Sequence, residues 1–146
     1  MKVFIGADHA GFEMKEYIEK HLNEKGHEVE DLGANSTESV DYPVFAEKVG
    51  KAVVGEEGSL GILVCGTGLG MCMASNKVNG VRAATCRTVE GAKLTREHNN
   101  ANVLCLGARL QKEEDVIQIV DAFLATPFSG DERHKRRVDG IADLEG

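Results

Sequence analysis

The 146-residue chain has no apolar run near the ~18 residues that a membrane-spanning helix requires. Its opening stretch, Met1-Lys2-Val3-Phe4-Ile5-Gly6, is too short for the apolar core of a secretory signal. The four cysteines, Cys65, Cys72, Cys86 and Cys105, form no Cys-x-x-Cys pair and no zinc-ligand spacing. Three of those four end or sit within apolar runs, as reduced, buried thiols do. A disulfide framework is therefore not expected, and the compartment reads as cytoplasmic. Positive charge is also short. Seventeen Lys+Arg against 24 Asp+Glu leave a net charge of −7, which disfavours binding nucleic acid over a broad surface. No internal repeat, low-complexity segment or linker breaks the chain.

What is present is ordinary for a globular protein. Hydrophobic residues make up 42% and charged residues 28%, which argues against wholesale disorder. The length fits one domain, 1–146, and lets roughly two-thirds of the unfolded surface be buried without metal or disulfide staples.

Short apolar runs alternate with amphipathic stretches. Residues 2–6, 29–32, 60–65, 81–86 and 103–106 read as strands, and 60–65 is the clearest because it is continuously apolar. Met14, Tyr17, Ile18 and Leu22 recur at helical spacing, with Gly26 closing that helix. Asp41-Tyr42-Pro43 opens a second helix with Phe45, Val49 and Val53 on one face. Further helices are predicted at 69–76, at 89–97, around Val116, Ile119, Val120, Phe123 and Leu124, and over about 131–144. In this last one Val138, Ile141 and Leu144 should dock. Strands alternating with helices predict a three-layer α/β/α sandwich with a five-stranded parallel sheet, Rossmann-like in class.

Open parallel sheets bind ligands beyond the carboxyl ends of their strands. That rule selects Asp8-His9, Cys65-Gly66-Thr67-Gly68-Leu69-Gly70 and Ala108-Arg109. Alternate glycines let a backbone turn sharply and present N–H groups to an anion or a developing oxyanion. The segment is not a Walker A loop, since no Gly-Lys-Ser/Thr follows. It also misses the dinucleotide fingerprint, because Met71 stands at the third glycine position. The bland alternative is a tight strand-to-helix turn. Cys65 lies at the mouth of this turn, a setting that favours the reactive thiolate; otherwise it is a core thiol, as Cys72, Cys86 and Cys105 are expected to be.

Asp8-His9 pairs a carboxylate with an imidazole, and His98-Asn99-Asn100 is a second polar cluster. Helix capping and a surface histidine explain either one equally well. His98 follows a helix and precedes a strand, so it belongs at the opposite end of the sheet from Cys65. One site using both would need a second subunit. Arg133 and Arg137 are four apart in the one concentrated basic run, Arg133-His134-Lys135-Arg136-Arg137. On a helix they share a face and could clamp a phosphate, or simply form a solvated surface.

Taken in order, Gly6-Ala7-Asp8-His9-Ala10-Gly11-Phe12, Asp41-Tyr42-Pro43, Gly61-Ile62-Leu63-Val64-Cys65-Gly66-Thr67-Gly68-Leu69-Gly70-Met71, Ala74-Ser75-Asn76-Lys77, Gly80-Val81-Arg82-Ala83, His98-Asn99-Asn100-Ala101-Asn102 and Arg133-His134…Arg137 carry a pattern. The chain resembles the ribose-5-phosphate isomerase B family, which includes galactose-6-phosphate and allose-6-phosphate isomerases. The resemblance covers nearly the whole length. It implies a homodimer, in some members paired into a tetramer. The implied activity is the metal-free, cofactor-free interconversion of ribose 5-phosphate and ribulose 5-phosphate, a step of the pentose phosphate pathway.

In family terms Cys65 would be the base, and Gly66, Gly68 and Gly70 would hold the enediolate oxygens. Asp8, Thr67 and His98 would assist ring opening, with His98 supplied by the other subunit. Asn99 would face the substrate and Tyr42 would line the pocket. His9, Arg133 and Arg137, with Arg109, would hold the phosphate. Some members lack the cysteine and place a glutamate base one residue past the glycine turn. Met71 stands there in this chain, so it resembles the cysteine type, and Cys72 stands where many relatives have serine. The other readings are an isomerase of a six-carbon sugar phosphate, a non-catalytic phosphometabolite-binding domain and a thiol hydrolase. The glycine turn lacks the lysine the binding domain would want, and the hydrolase would need His98 within reach of the sulfur.

Overall fold

The computed structural model describes residues 1–146. Five runs extend as strands: β1 (Lys2–Ala7), β2 (Glu28–Asp31), β3 (Leu60–Cys65), β4 (Ala83–Thr85) and β5 (Val103–Gly107). They form one parallel sheet in the order β2-β1-β3-β5-β4. Every residue of β3 and β5 is buried, as expected of strands covered on both faces. The edge strand β2 keeps Glu28 and Glu30 exposed, and charge at an edge discourages further pairing.

Six helices connect and cover the sheet: α1 (Phe12–Glu24), α2 (Tyr42–Gly55), α3 (Leu69–Ser75), α4 (Val89–Asn99), α5 (Glu113–Ala125) and α6 (Glu132–Asp143). None is long and apolar enough to cross a membrane. Strand side chains alternate between faces, so each strand feeds two cores. Val3, Ile5, Ile62, Val64, Leu104 and Leu106 pack with α1, α4 and α5. Phe4, Leu63, Cys65, Val103 and Cys105 pack with α2 and α3.

The sequence-predicted strand 81–86 shortens to Ala83–Thr85. Asn102 Oδ1 accepts the Arg82 N–H at 2.7 Å and Asn76 Oδ1 accepts the Ala83 N–H at 2.8 Å, so side-chain amides replace ladder bonds at its start. The last helix also differs from expectation. It follows no strand and packs mainly on α4, burying His134 and Val138 while Ile141 and Leu144 stay exposed.

The strand order places the site. From β1 the chain crosses through α1 to β2 on one side, then through α2 over the opposite face to β3 on the other side. The connections diverge between the carboxyl ends of β1 and β3, which leaves a crevice there.

Candidate active site

Beyond the sheet, three strand ends stay hydrogen-bonded. Asp8 N–H donates to the Val64 carbonyl at 3.2 Å, Ala108 N–H to Cys65 at 2.9 Å and Arg109 N–H to Gly66 at 2.9 Å. Glycines make this convergence possible. A Cβ on Gly11 would stand 2.4 Å from the Val64 oxygen, and one on Gly107 would stand 2.6 Å from the Thr67 carbonyl. Gly68 turns the chain at φ +80°, a left-handed conformation that glycine adopts without penalty.

That turn aims the Gly68 N–H at Cys65 Sγ, 3.2 Å away. Leu69 N–H donates to Thr67 Oγ1 at 3.2 Å. The helix that follows spans seven residues, so anion stabilisation here rests on the loop and first-turn N–H groups rather than on a long dipole. Cys65 itself is 5% exposed.

Side chains flank the loop on both sides. A Cβ on Gly70 would meet the Tyr42 ring at 2.5 Å, so the phenol lies directly on the glycine backbone. Tyr42 is positioned by the start of α2, where Asp41 is the N-cap and Pro43 pre-sets the first turn. The Arg109 guanidinium lies over Gly66, with Nη1 3.2 Å from where a Cβ would be. Asp8 is buried and its Oδ1 accepts the Gly11 N–H at 3.0 Å. His9 Nδ1 accepts the Val40 N–H at 3.2 Å, which assigns the ring proton to Nε2 and makes that nitrogen a donor. Asp8, His9, Tyr42, Cys65, Gly66, Thr67, Gly68, Gly70 and Arg109 thus gather at one end of the sheet.

The other sequence-predicted residues lie elsewhere. His98 and Asn99 end α4, which leads into the amino end of β5. The register pairs Val103 with Gly61 and Gly107 with Cys65. Four strand residues, roughly 13 Å, therefore separate the two ends of the sheet. The His98 ring lies 4.3 Å from that of buried His134, whose Nδ1 is 2.8 Å from Ser129 Oγ. Arg133 and Arg137 are exposed on α6; Arg133 approaches Asp131 only at 4.0 Å and Arg137 joins no ion pair. A cavity of about 640 Å³ lies beside this second group, bordered by Arg82, Thr95, Asn99, Ile141 and Leu144 and by no residue of the Cys65 loop.

The remaining cysteines separate. Cys86 is buried, and burial with Cys72 nearby pushes its thiol up to about 11. Cys105 is pushed well up by its hydrogen bond to Cys72 and by burial. Cys72 is only half-buried and does not fit the core assignment. Hydrogen bonds from Cys105, the Thr85 backbone and Asn76 outweigh burial and bring it down to about 7. Sequence reasoning also passes over Lys15. Its place in α1, between the inward residues Met14 and Ile18, is the only signal, yet it is fully buried and paired with Asp31.

Comparison with known proteins gives a consistent result. A family model described as Ribose/Galactose Isomerase matches residues 3–141. Ribose-5-phosphate isomerase B of Mycobacterium leprae is 45% identical, with 99% of this chain and 90% of that one covered. The Escherichia coli protein of the same name is 45% identical, with 99% and 96% covered. Among solved structures, the Clostridium thermocellum ribose-5-phosphate isomerase B superposes with a TM-score of 0.97 at 46% identity, covering 99% of this chain and 97% of that one. The Mycoplasma genitalium enzyme, solved with bound ribulose-5-phosphate, gives a TM-score of 0.94 at 46% identity, covering 99% and 95%.

Proposed function

This chain belongs to the ribose/galactose isomerase family, and we propose that it works with Cys65 as base in a site completed by a second copy of itself. The reaction is the interconversion of D-ribose 5-phosphate and D-ribulose 5-phosphate. The chain is an aldose–ketose isomerase.

The step balances within the sugar. In the open-chain aldose the Cys65 thiolate takes the proton on C2, leaving a thiol and an enediolate. The hydroxyl proton passes from O2 to O1, and the thiol returns its proton to C1, giving the ketose. Negative charge develops on the two sugar oxygens, so N–H groups of the 66–70 loop stabilise the intermediate more than the substrate. A positioned base typically contributes about 10²–10⁴-fold in rate. The observation that carries this assignment is the Gly68 N–H directed at Cys65 Sγ at 3.2 Å, within a glycine loop at the carboxyl end of β3.

Ring opening moves the O1 proton to the ring oxygen. Asp8 and Thr67 stand near the loop for this, and His98 reaches it from the second subunit. His9 offers its Nε2–H to the phosphate, together with Arg109 and the second subunit's Arg133–Arg137 face. Asn99 arrives with His98, and Tyr42 walls the pocket. Two features support a shared site. Within one chain His98 and the arginine pair stand at the far end of the sheet from Cys65. Leu69 and Met73 on α3, Ile141 on α6 and Leu144 just beyond it leave apolar side chains uncovered, as a subunit interface would require. All four cysteines are free, in keeping with a reducing cytoplasm.

The deciding assay compares ribose 5-phosphate, allose 6-phosphate and galactose 6-phosphate side by side with chelator present. The five-carbon phosphate is expected to give the highest kcat/KM. A preference for either six-carbon substrate would reassign the physiological sugar.

A further inference from the structure

Lys15 is fully buried on the inner side of α1, between the buried residues Met14 and Ile18. An ammonium in that position is costly unless paired. Its Nζ lies 5.1 Å over the Phe12 ring, donates to Glu16 at 2.9 Å and donates to Asp31 Oδ2. Glu16 is half-exposed and Asp31 largely covered, so Asp31 is the principal partner. The carboxyl groups of Glu16, Glu19 and Asp31 converge here, and the Lys15 ammonium already serves as their counter-ion.

Asp31 faces two ways. Its other oxygen, Oδ1, accepts the Gly33 N–H at 2.8 Å. Gly33 then accepts from Ala7 N–H at 2.6 Å, and Ala34 N–H donates back to Ala7 at 2.7 Å. The segment leaving β2 is thereby fastened to the last residue of β1, immediately before Asp8 and His9. The same segment returns along the crevice, where Val40 N–H donates to His9 Nδ1 at 3.2 Å. Hydrogen bonds thus anchor the 33–40 segment at both ends, to Asp31 and Ala7 at its start and to the His9 ring at Val40.

We propose that Lys15 and Asp31 are positioning residues for this reaction, orienting the 33–40 segment so that Val40 holds His9 with its Nε2–H toward the substrate phosphate. The proposal rests on the reading of His9 as a phosphate ligand. A buried ion pair is seldom more stabilising than apolar side chains of equal volume. What it supplies is direction, because a carboxylate tied to Lys15 presents its second oxygen to Gly33 at a fixed angle.

The test is the pair Lys15→Met/Asp31→Leu, which removes the charges and the acceptor while filling similar volume. Two readouts are taken. In ¹⁵N NMR of histidine-labelled protein, wild-type His9 should show the Nε2–H tautomer, and the variant should show ring nitrogens averaged between tautomers. With ribose 5-phosphate, KM should rise about tenfold while kcat stays within about threefold. In a His9→Ala background the pair substitution should raise KM no further, since both act through one ring. His9 ring shifts unchanged from wild type overturn the proposal, as do KM increases that simply multiply. If the double variant fails to fold, Lys15→Met alone, which removes the tie that fixes the angle of the Asp31 carboxylate, is measured the same way; an unmoved His9 ring again overturns it. A His9→Ala enzyme with wild-type KM would instead refute the phosphate reading of His9, and the ring shifts would still decide the linkage.

Discussion

The Gly68 N–H and the Cys65 sulfur face each other across 3.2 Å, at the point where β3 gives way to α3. That bond holds the sulfur against the turn that leads into α3. Removing the sulfur should leave the phosphate contacts in place. Cys65→Ala is expected to lose more than about 10²-fold in kcat while ribose 5-phosphate still binds by calorimetry. Full activity in that variant would remove the cysteine-base mechanism.

Tyr42 and Gly70 are in van der Waals contact, and a methyl group at Gly70 would stand 2.5 Å from the ring. Gly70→Ala must displace the ring, at a cost of about 1–3 kcal/mol. Combining it with Tyr42→Ala should recover most of the lost melting temperature. Gly107→Ala meets the Thr67 backbone at 2.6 Å, where no side chain can swing aside, and is expected to be the more damaging. Equal melting temperatures for the two single variants would contradict this ordering.

Arg137 is exposed and joins no ion pair, so folding does not depend on its charge, and the role proposed for it is to hold the substrate phosphate. Arg137→Ala should raise KM with little change in melting temperature. An unchanged KM would count against the phosphate clamp.

The separation of His98 from Cys65 predicts complementation between inactive subunits. When His98→Ala and Cys65→Ala proteins exchange subunits freely, half the dimers are mixed and one of their two sites carries both native residues. Activity should return to about a quarter of wild type. No recovery, with exchange verified by mass spectrometry, would place both residues within one subunit's site.

Glu19 gives a stability signature. Burial, a hydrogen bond to Asp31 and repulsion from Asp31 and Glu16 outweigh the attraction of Lys15 and raise its carboxyl from 4.5 to about 7. Between those values the folded chain binds more protons than the unfolded one, so this group's contribution is present at low pH and lost as pH rises through about 7. Asp31 shifts the other way. Its bonds to Lys15 and Gly33 overcome burial and hold it below 3.8, so its contribution is lost only in strong acid. Glu19→Gln should therefore flatten the fall in melting temperature between about pH 5 and about pH 8. A slope identical to wild type would show that Glu19 ionises normally.

Much of this was legible along the chain. A continuous apolar run marked β3, because a strand covered on both faces must be apolar at every position, and shorter apolar runs marked β1 and β5. The glycine spacing marked the loop, since three strand ends can converge only where side chains are absent. The opposition of His98 and Cys65 was legible too, because successive strands of a parallel sheet are always entered at the same end. Lys15 was not legible. Helical spacing gives a lysine beside Met14 no reason to be buried, and its partner lies sixteen residues away on another element. The shortening of β4 was hidden in the same way, in the side chains of Asn76 and Asn102.

The sequence by itself determined the order of the elements, the layer architecture and the glycine turn after β3, which follow from local periodicity and from backbone freedom at single residues. Only the tertiary structure decided the strand order, the inward turn of Lys15 and the tautomer of His9. Those depend on contacts between segments distant along the chain, and each was settled by where a buried charge or a backbone N–H could find its partner.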